Sequence, residues 1–163
     1  MNYIQRFMIV GFFSAVLFLI FIFIGVSTSY AASEYVWPVE GELSDMFGTR
    51  GGTHYGIDIA AEKGTPIHAV QSGEVVKSYF SSSYGNVIII LHESGEETLY
   101  AHLEERWKSE GDDVKQKEVI GTIGSTGRST GPHLHFEFHE KEWTEDKIFA
   151  VDPLQVLNKQ EIS

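Results

Sequence analysis

Gly131-Pro-His-Leu-His-Phe-Glu-Phe138 decides how the chain must be read. Side chains alternate across a strand, so His133, His135, Glu137 and His139 face one way and Leu134, Phe136 and Phe138 the other. The apolar face supplies a core. The polar face needs a different reason, because adjacent imidazoles repel once protonated. A metal gives one, since neutral imidazole is a common zinc ligand. With seven histidines in the chain, one H-x-H is weak evidence by itself.

Two other segments raise the odds. Thr53-His-Tyr-Gly-Ile-Asp-Ile59 sets His54 and Asp58 in an H-x-x-x-D spacing, with Gly56 among β-branched and aromatic residues. Full extension would part those side chains by roughly 13 Å, too far for donors that must each sit about 2 Å from one metal. If both are ligands the chain bends between them, and Gly56 is where it can bend. Tyr100-Ala-His-Leu103 ends a strand, and alternation places His102 on the face of Tyr100, with Ala101 and Leu103 opposite. Alone, each of these is equally an ordinary polar residue of a loop or strand end.

The surrounding pattern is mostly strand. Gly73–Phe80 and Asn86–His92 are β-branched or aromatic runs joined by a turn-like Ser81–Gly85. Thr98–Ala101 and Val119–Gly124 are shorter strands, and Ser125–Gly131 is rich in breakers. The fold class expected is mainly β: an antiparallel sheet or sandwich, of open barrel-sandwich hybrid type. Helix is scarce, with one turn expected over Glu104–Lys108. A short terminal helix is expected at Asp152–Leu157, where an N-cap acid precedes Pro at the first helical position.

Residues 7–26 are an unbroken apolar or small-residue run behind Arg6, followed by Ser-Thr-Ser-Tyr-Ala-Ala. That order reads as a secretory signal cleaved after Ala31. The run exceeds the usual h-region of about 7–15 residues and matches the ~20 that cross a bilayer, so an uncleaved N-terminal hydrophobic helix anchoring the chain is the other reading. Both export the domain. The expected organisation is residues 1–31 as signal or anchor, 32–36 as lead-in, 37–158 as one domain and 159–163 as a tail. There is no cysteine, so disulfides and thiolate chemistry are excluded. Beyond residue 31 lie 11 basic and 23 acidic side chains, a balance that argues against nucleic acid as partner.

Taken in order, these segments resemble the lysostaphin/LytM-type zinc endopeptidases of bacterial peptidoglycan. The likeness runs from about Trp37 to Glu137. It includes Gly48-Thr-Arg50, His54-Tyr-Gly-Ile-Asp58, Gly64-Thr-Pro-Ile67, Ser72-Gly-Glu-Val75, Tyr84-Gly-Asn86, Tyr100-Ala-His-Leu103 and Ser129–Glu137. The resemblance implies one Zn2+ held by His54, Asp58 and His135, with His102 and His133 as catalytic histidines. It implies a groove with the metal on its floor, walled by Phe80–Tyr84 and Ser125–Thr130, with Tyr55, Tyr84 and Arg128 as wall candidates. The substrate implied is a peptidoglycan peptide, met as a monomer at the cell wall or the outer face of the membrane. Glu137 is the candidate for orienting a ligand imidazole, whereas His68, His92 and His139 read as structural. Lys117 stands where the family usually has a turn glycine, and the expected effect is local. Degenerate members of such families act as wall scaffolds or as activators of other hydrolases, which is the alternative function.

Overall fold

The computed structural model describes residues 35–157. The expectations for the N-terminal signal or anchor and for the tail lie outside the described residues. Among the described residues no helix is long and apolar enough to cross a membrane.

Ten antiparallel strands form one sheet: β1 (Glu42–Asp45), β2 (Ile57–Ala60), β3 (Pro66–His68), β4 (Gly73–Ser81), β5 (Gly85–His92), β6 (Glu97–Arg106), β7 (Asp113–Val114), β8 (Val119–Ile123), β9 (His133–His139) and β10 (Ala150–Val151). The main path runs β1-β2-β9-β6-β5-β4-β7, with β8 joining β6 to β3, and β10 flanking β9. Asp152 caps a single 3-10 turn at Pro153–Gln155 by accepting from the Leu154 N–H at 3.0 Å.

The centre of the sheet is apolar on both faces, which is why β5 reads Val-Ile-Ile-Ile without alternation. Ile88 and Ile90 join Ile57, Ile59, Tyr100, Leu134, Phe136 and Phe138 in the main core. Val87 and Ile89 meet Leu99 and Ala101 on the other face. Fully burying side chains of this size stabilises by about 1.5–3 kcal/mol each. The Tyr100 hydroxyl, buried at the middle, accepts from the Val70 N–H at 3.0 Å and from Thr98 Oγ1 at 3.1 Å. Tyr35 also packs into this core, edge-on to Phe138.

Register then sorts the polar residues. β2 pairs Asp58 with His135 and Ala60 with His133, and β6 pairs Ala101 with His135 and Leu99 with Glu137. Paired residues share a face. Asp58, His133, His135 and Glu137 therefore stand together on the side opposite the main core.

Two local expectations are corrected. Glu104–Lys108 is not a helical turn, because β6 continues to Arg106 and pairs Leu103 with Ile123 and Arg106 with Gly121. The Asn86 side-chain amide also donates to the carbonyls of Leu103 and Glu104 at 3.0 Å each. Nor does His102 share the face of Tyr100. Its φ of +62° inserts a one-residue kink that resets alternation, so Tyr100 and Leu103 both enter the main core while His102 swings to the polar side.

The chain does bend at Gly56. A Cβ there would stand 2.3 Å from the Phe136 carbonyl oxygen, so β9 approaches too closely for any side chain. Lys117 adopts the left-handed conformation of a turn glycine, φ +67°, with its N–H bonded to Ala69 O at 2.9 Å. Gly56→Ala is expected to destabilise the fold by about 2–3 kcal/mol through overpacking against backbone, read as a lower urea midpoint; an unchanged midpoint would contradict the close approach. Lys117→Gly should instead gain about 0.5–1 kcal/mol, the left-handed penalty less the added chain entropy of glycine. A loss of stability in the same assay would count against a strained turn.

Candidate metal centre and catalytic groove

Three donor atoms converge on the groove floor. His54 Nε2 lies 3.0 Å from Asp58 Oδ1 and 3.1 Å from His135 Nδ1, and His135 Nδ1 lies 2.7 Å from the same Asp58 oxygen. All three residues are buried.

Where the ring protons go decides what this triangle is. His54 Nδ1 sits 2.7 Å from the Met46 carbonyl, which can only accept, so that nitrogen carries the proton. His135 Nε2 likewise donates to Glu137 Oε1 at 3.1 Å. The remaining nitrogens, His54 Nε2 and His135 Nδ1, both face one Asp58 carboxylate oxygen, at 3.0 and 2.7 Å, each as a donor when protonated and as a lone pair when not. Such a cluster needs a positive charge at its centre. Burial opposes a charge on His135, yet Asp58 and Glu137 on either side raise its imidazole above the ordinary value. Two nitrogens and an oxygen are the donor types zinc takes, and tetrahedral bonds of 2.0–2.1 Å would set them about 3.3 Å apart. A spread of a few tenths of an ångström suffices, so the residues fit a zinc ion.

The second carboxylate oxygen of Asp58 is bonded to Arg50 Nη2, whose Nε donates to Asp45 at 2.8 Å. Arg50 holds φ +56° to reach both acids. Burial works against ionisation of Asp58, but hydrogen bonds from His135 and His54 overcome it and hold the carboxyl far below its usual range.

Behind His135, Glu137 is fully buried and heavily bonded. It accepts from the Tyr84 hydroxyl at 2.5 Å, His139 Nε2 at 2.8 Å and Trp143 Nε1 at 3.2 Å, and Lys147 Nζ lies 3.4 Å away. Burial would raise its pKa. The donors, His135 first, reverse that and keep it well below the carboxylate range. Lys147 covers the assembly, its ammonium 3.8 Å above the Trp143 ring. His139 is thus a partner of Glu137, while His92 is tied to Ser72 O and Thr98 Oγ1 and His68 to Lys117 O.

His102 and His133 stand beside the triangle, their rings 4.8 Å apart. His102 Nδ1 donates to Thr126 O and His133 Nδ1 to Gly131 O, each at 2.8 Å. Both keep Nε2 as an open acceptor, and that of His133 lies 3.8 Å from Asp58 Oδ1. Burial pushes the His102 imidazole down to about 4, so it is neutral at pH 7.

The groove encloses about 1000 Å³, and Tyr55, Tyr84, Arg128 and Ser129–Pro132 line it with the five residues above. Its wall loops touch at Gly85 and Gly127, where a Cβ on Gly127 would lie 2.2 Å from Gly85 N. Arg50, Trp143 and Lys147 went unnoticed in the sequence. Arg50 stood inside the quoted Gly48-Thr-Arg50 without a role, and residues 140–149 carry no periodic signal at all.

Comparison with known proteins identifies the relatives of this chain. The family described as "Peptidase family M23" matches residues 52–147. The DD-carboxypeptidase/endopeptidase Mpg of Neisseria meningitidis serogroup B is 52% identical over 84 residues, 52% of this chain and 19% of that protein. The murein hydrolase activator NlpD of Escherichia coli is 41% identical over 131 residues, 80% of this chain and 33% of that protein. This chain therefore spans only about a fifth to a third of these curated relatives. The structure of the antimicrobial peptidase lysostaphin from Staphylococcus simulans superposes with a TM-score of 0.69 at 32% identity, over 78% of this chain and 54% of that one. The chain belongs to peptidase family M23.

Proposed function

We propose that the protein is an exported zinc metalloendopeptidase that hydrolyses peptide bonds in peptidoglycan cross-links or stem peptides. The observation carrying this is the donor triangle: His54 Nε2, Asp58 Oδ1 and His135 Nδ1 converge within 2.7–3.1 Å of one another, while His102 and His133 stand beside them with Nδ1 tied to backbone carbonyls. Three protein donors leave a fourth tetrahedral position, as catalytic zinc sites do. When bound, zinc supplies Lewis acidity toward a peptide carbonyl and acidifies water. His133, on the strand that carries His135, accepts the proton of the attacking water and returns it to the leaving amine. His102 hydrogen-bonds the oxyanion through Nε2, which takes up a proton from solvent as the developing negative charge beside it favours the imidazolium. Glu137 fixes the His135 ring, and Arg50 leaves one Asp58 oxygen for the metal. Export is supported by the apolar run at residues 7–26.

The second reading is an activator of other wall hydrolases, favoured by the extent of the match to NlpD. The filled set of five site residues supports the enzyme.

The purified chain is expected to bind one zinc and to release soluble fragments from peptidoglycan. His135→Ala should lose the metal, and His133→Ala should keep it while losing at least ~100-fold in rate. Zinc binding without cleavage of any wall preparation would transfer the case to the activator reading; no zinc after reconstitution would remove the mechanism. Glu137→Gln should weaken zinc by about 10–100-fold in chelator competition. It should also destabilise the metal-free chain by about 3 kcal/mol in urea, because Lys147 loses the buried carboxylate it faces. Unaltered zinc affinity would mean that Glu137 does not orient His135.

A further inference from the structure

Five charged residues other than histidine line the groove: Asp45, Arg50, Asp58, Arg128 and Glu137. Four of them are committed to one another or to neighbours. Arg50 is bonded to Asp45 and Asp58, and Glu137 is enclosed by Tyr84, His135, His139, Trp143 and Lys147. Arg128 alone is left over. Its guanidinium makes no hydrogen bond, ion pair or ring contact with any described residue, and the residue is exposed.

The side chain is free, but its base is fixed. The Arg128 N–H donates to Ser83 O at 2.9 Å, and the neighbouring Gly127 is pressed against Gly85. Thr126 Oγ1 accepts from the Asn86 N–H at 3.0 Å and donates to Leu103 O at 2.8 Å. Arg128 also lies between the two carbonyls that orient the site histidines, Thr126 O for His102 and Gly131 O for His133. A group held by Arg128 is thereby kept within an arginine's reach of the loop that orients both imidazoles.

We propose that Arg128 is a specificity-determining residue that pairs with a free carboxylate of the bound peptide. The substrate class is then a cross-link or stem peptide with an ionised carboxylate near the scissile bond, rather than an uncharged glycine bridge. The guanidinium fork matches a carboxylate bidentately. In a chain of net charge −11, a local cation is what allows an anionic peptide to settle. An uncharged bridge gains nothing from Arg128. The carboxylate can be the terminal one of a D-amino acid or the side-chain one of a diamino acid; the chemistry at Arg128 is the same. The inference rests on the endopeptidase reading above.

The test uses the zinc-loaded full chain in detergent and synthetic cross-linked peptides. One set has both carboxylates free, one has the terminal carboxylate amidated, one has the diamino-acid carboxylate amidated, and a pentaglycine peptide completes the series. For wild type, amidating one carboxylate should lower kcat/KM by about 10–100-fold, and that position names the source. Arg128→Gln should lose a similar factor on the free peptide and become indifferent to that amidation, with Arg128→Lys between the two. Equal wild-type rates on the free and both amidated peptides, or a wild-type amidation penalty that persists undiminished in Arg128→Gln, would overturn the proposal. So would pentaglycine cleavage as fast as that of the free peptide. Calorimetric binding to the His133→Ala variant, with and without Arg128→Gln, gives the same readout without turnover. Carboxylate-dependent binding that needs Arg128, with no cleavage by wild type, would sink the endopeptidase reading while leaving Arg128 its role. Binding indifferent to amidation would sink the role of Arg128 even where wild type cleaves.

Discussion

Everything at the groove floor depends on one strand pairing, β2 against β9, which sets Asp58 beside His135. A slip of one residue would turn His135 into the core and Phe136 into the groove. The apolar alternation of Leu134, Phe136 and Phe138 opposes that slip, because all three are buried in the main core. Hydrophobic burial thus holds the register, and the register holds the polar chemistry. His54 then needs only a bend at Gly56 to reach the same point.

Around that pairing, each inward-facing carboxylate is matched by an outer cation: Arg50 behind Asp58 and Lys147 behind Glu137. The pairing orients the acids and offsets the cost of burying them. Lys147 is costly to bury, and its placement over the Trp143 and Tyr84 rings lowers that cost by cation–π attraction.

Much of this was readable from residue order. The period-two pattern of Leu134–Phe138 gave β9 its facing, and the length of chain between His54 and Asp58 required a bend at the glycine that now touches Phe136 O. The apolar runs of β4 and β5 were visible for the same reason. What escaped notice depends on contacts distant in sequence or on single dihedral angles. The facing of His102 was misread because a positive φ cannot be seen in a strand-like Tyr-Ala-His-Leu. The continuation of β6 past His102 follows from pairing with β8, about 18 residues away. Trp143 and Lys147 have meaning only once the β9–β10 connection folds back over Glu137.

His102 is attached to both sides of the groove at once. Its backbone N–H bonds to Tyr84 O on one wall loop, and its ring Nδ1 bonds to Thr126 O on the other. The two loops meet at Gly85 and Gly127, where neither can yield without moving the other. A guest too bulky for the channel cannot simply push the walls apart, since prying them open pulls the imidazole out of alignment. A misfit is therefore felt at His102 even where the walls would admit it, and the channel gauges its guest by the hinge that carries that ring.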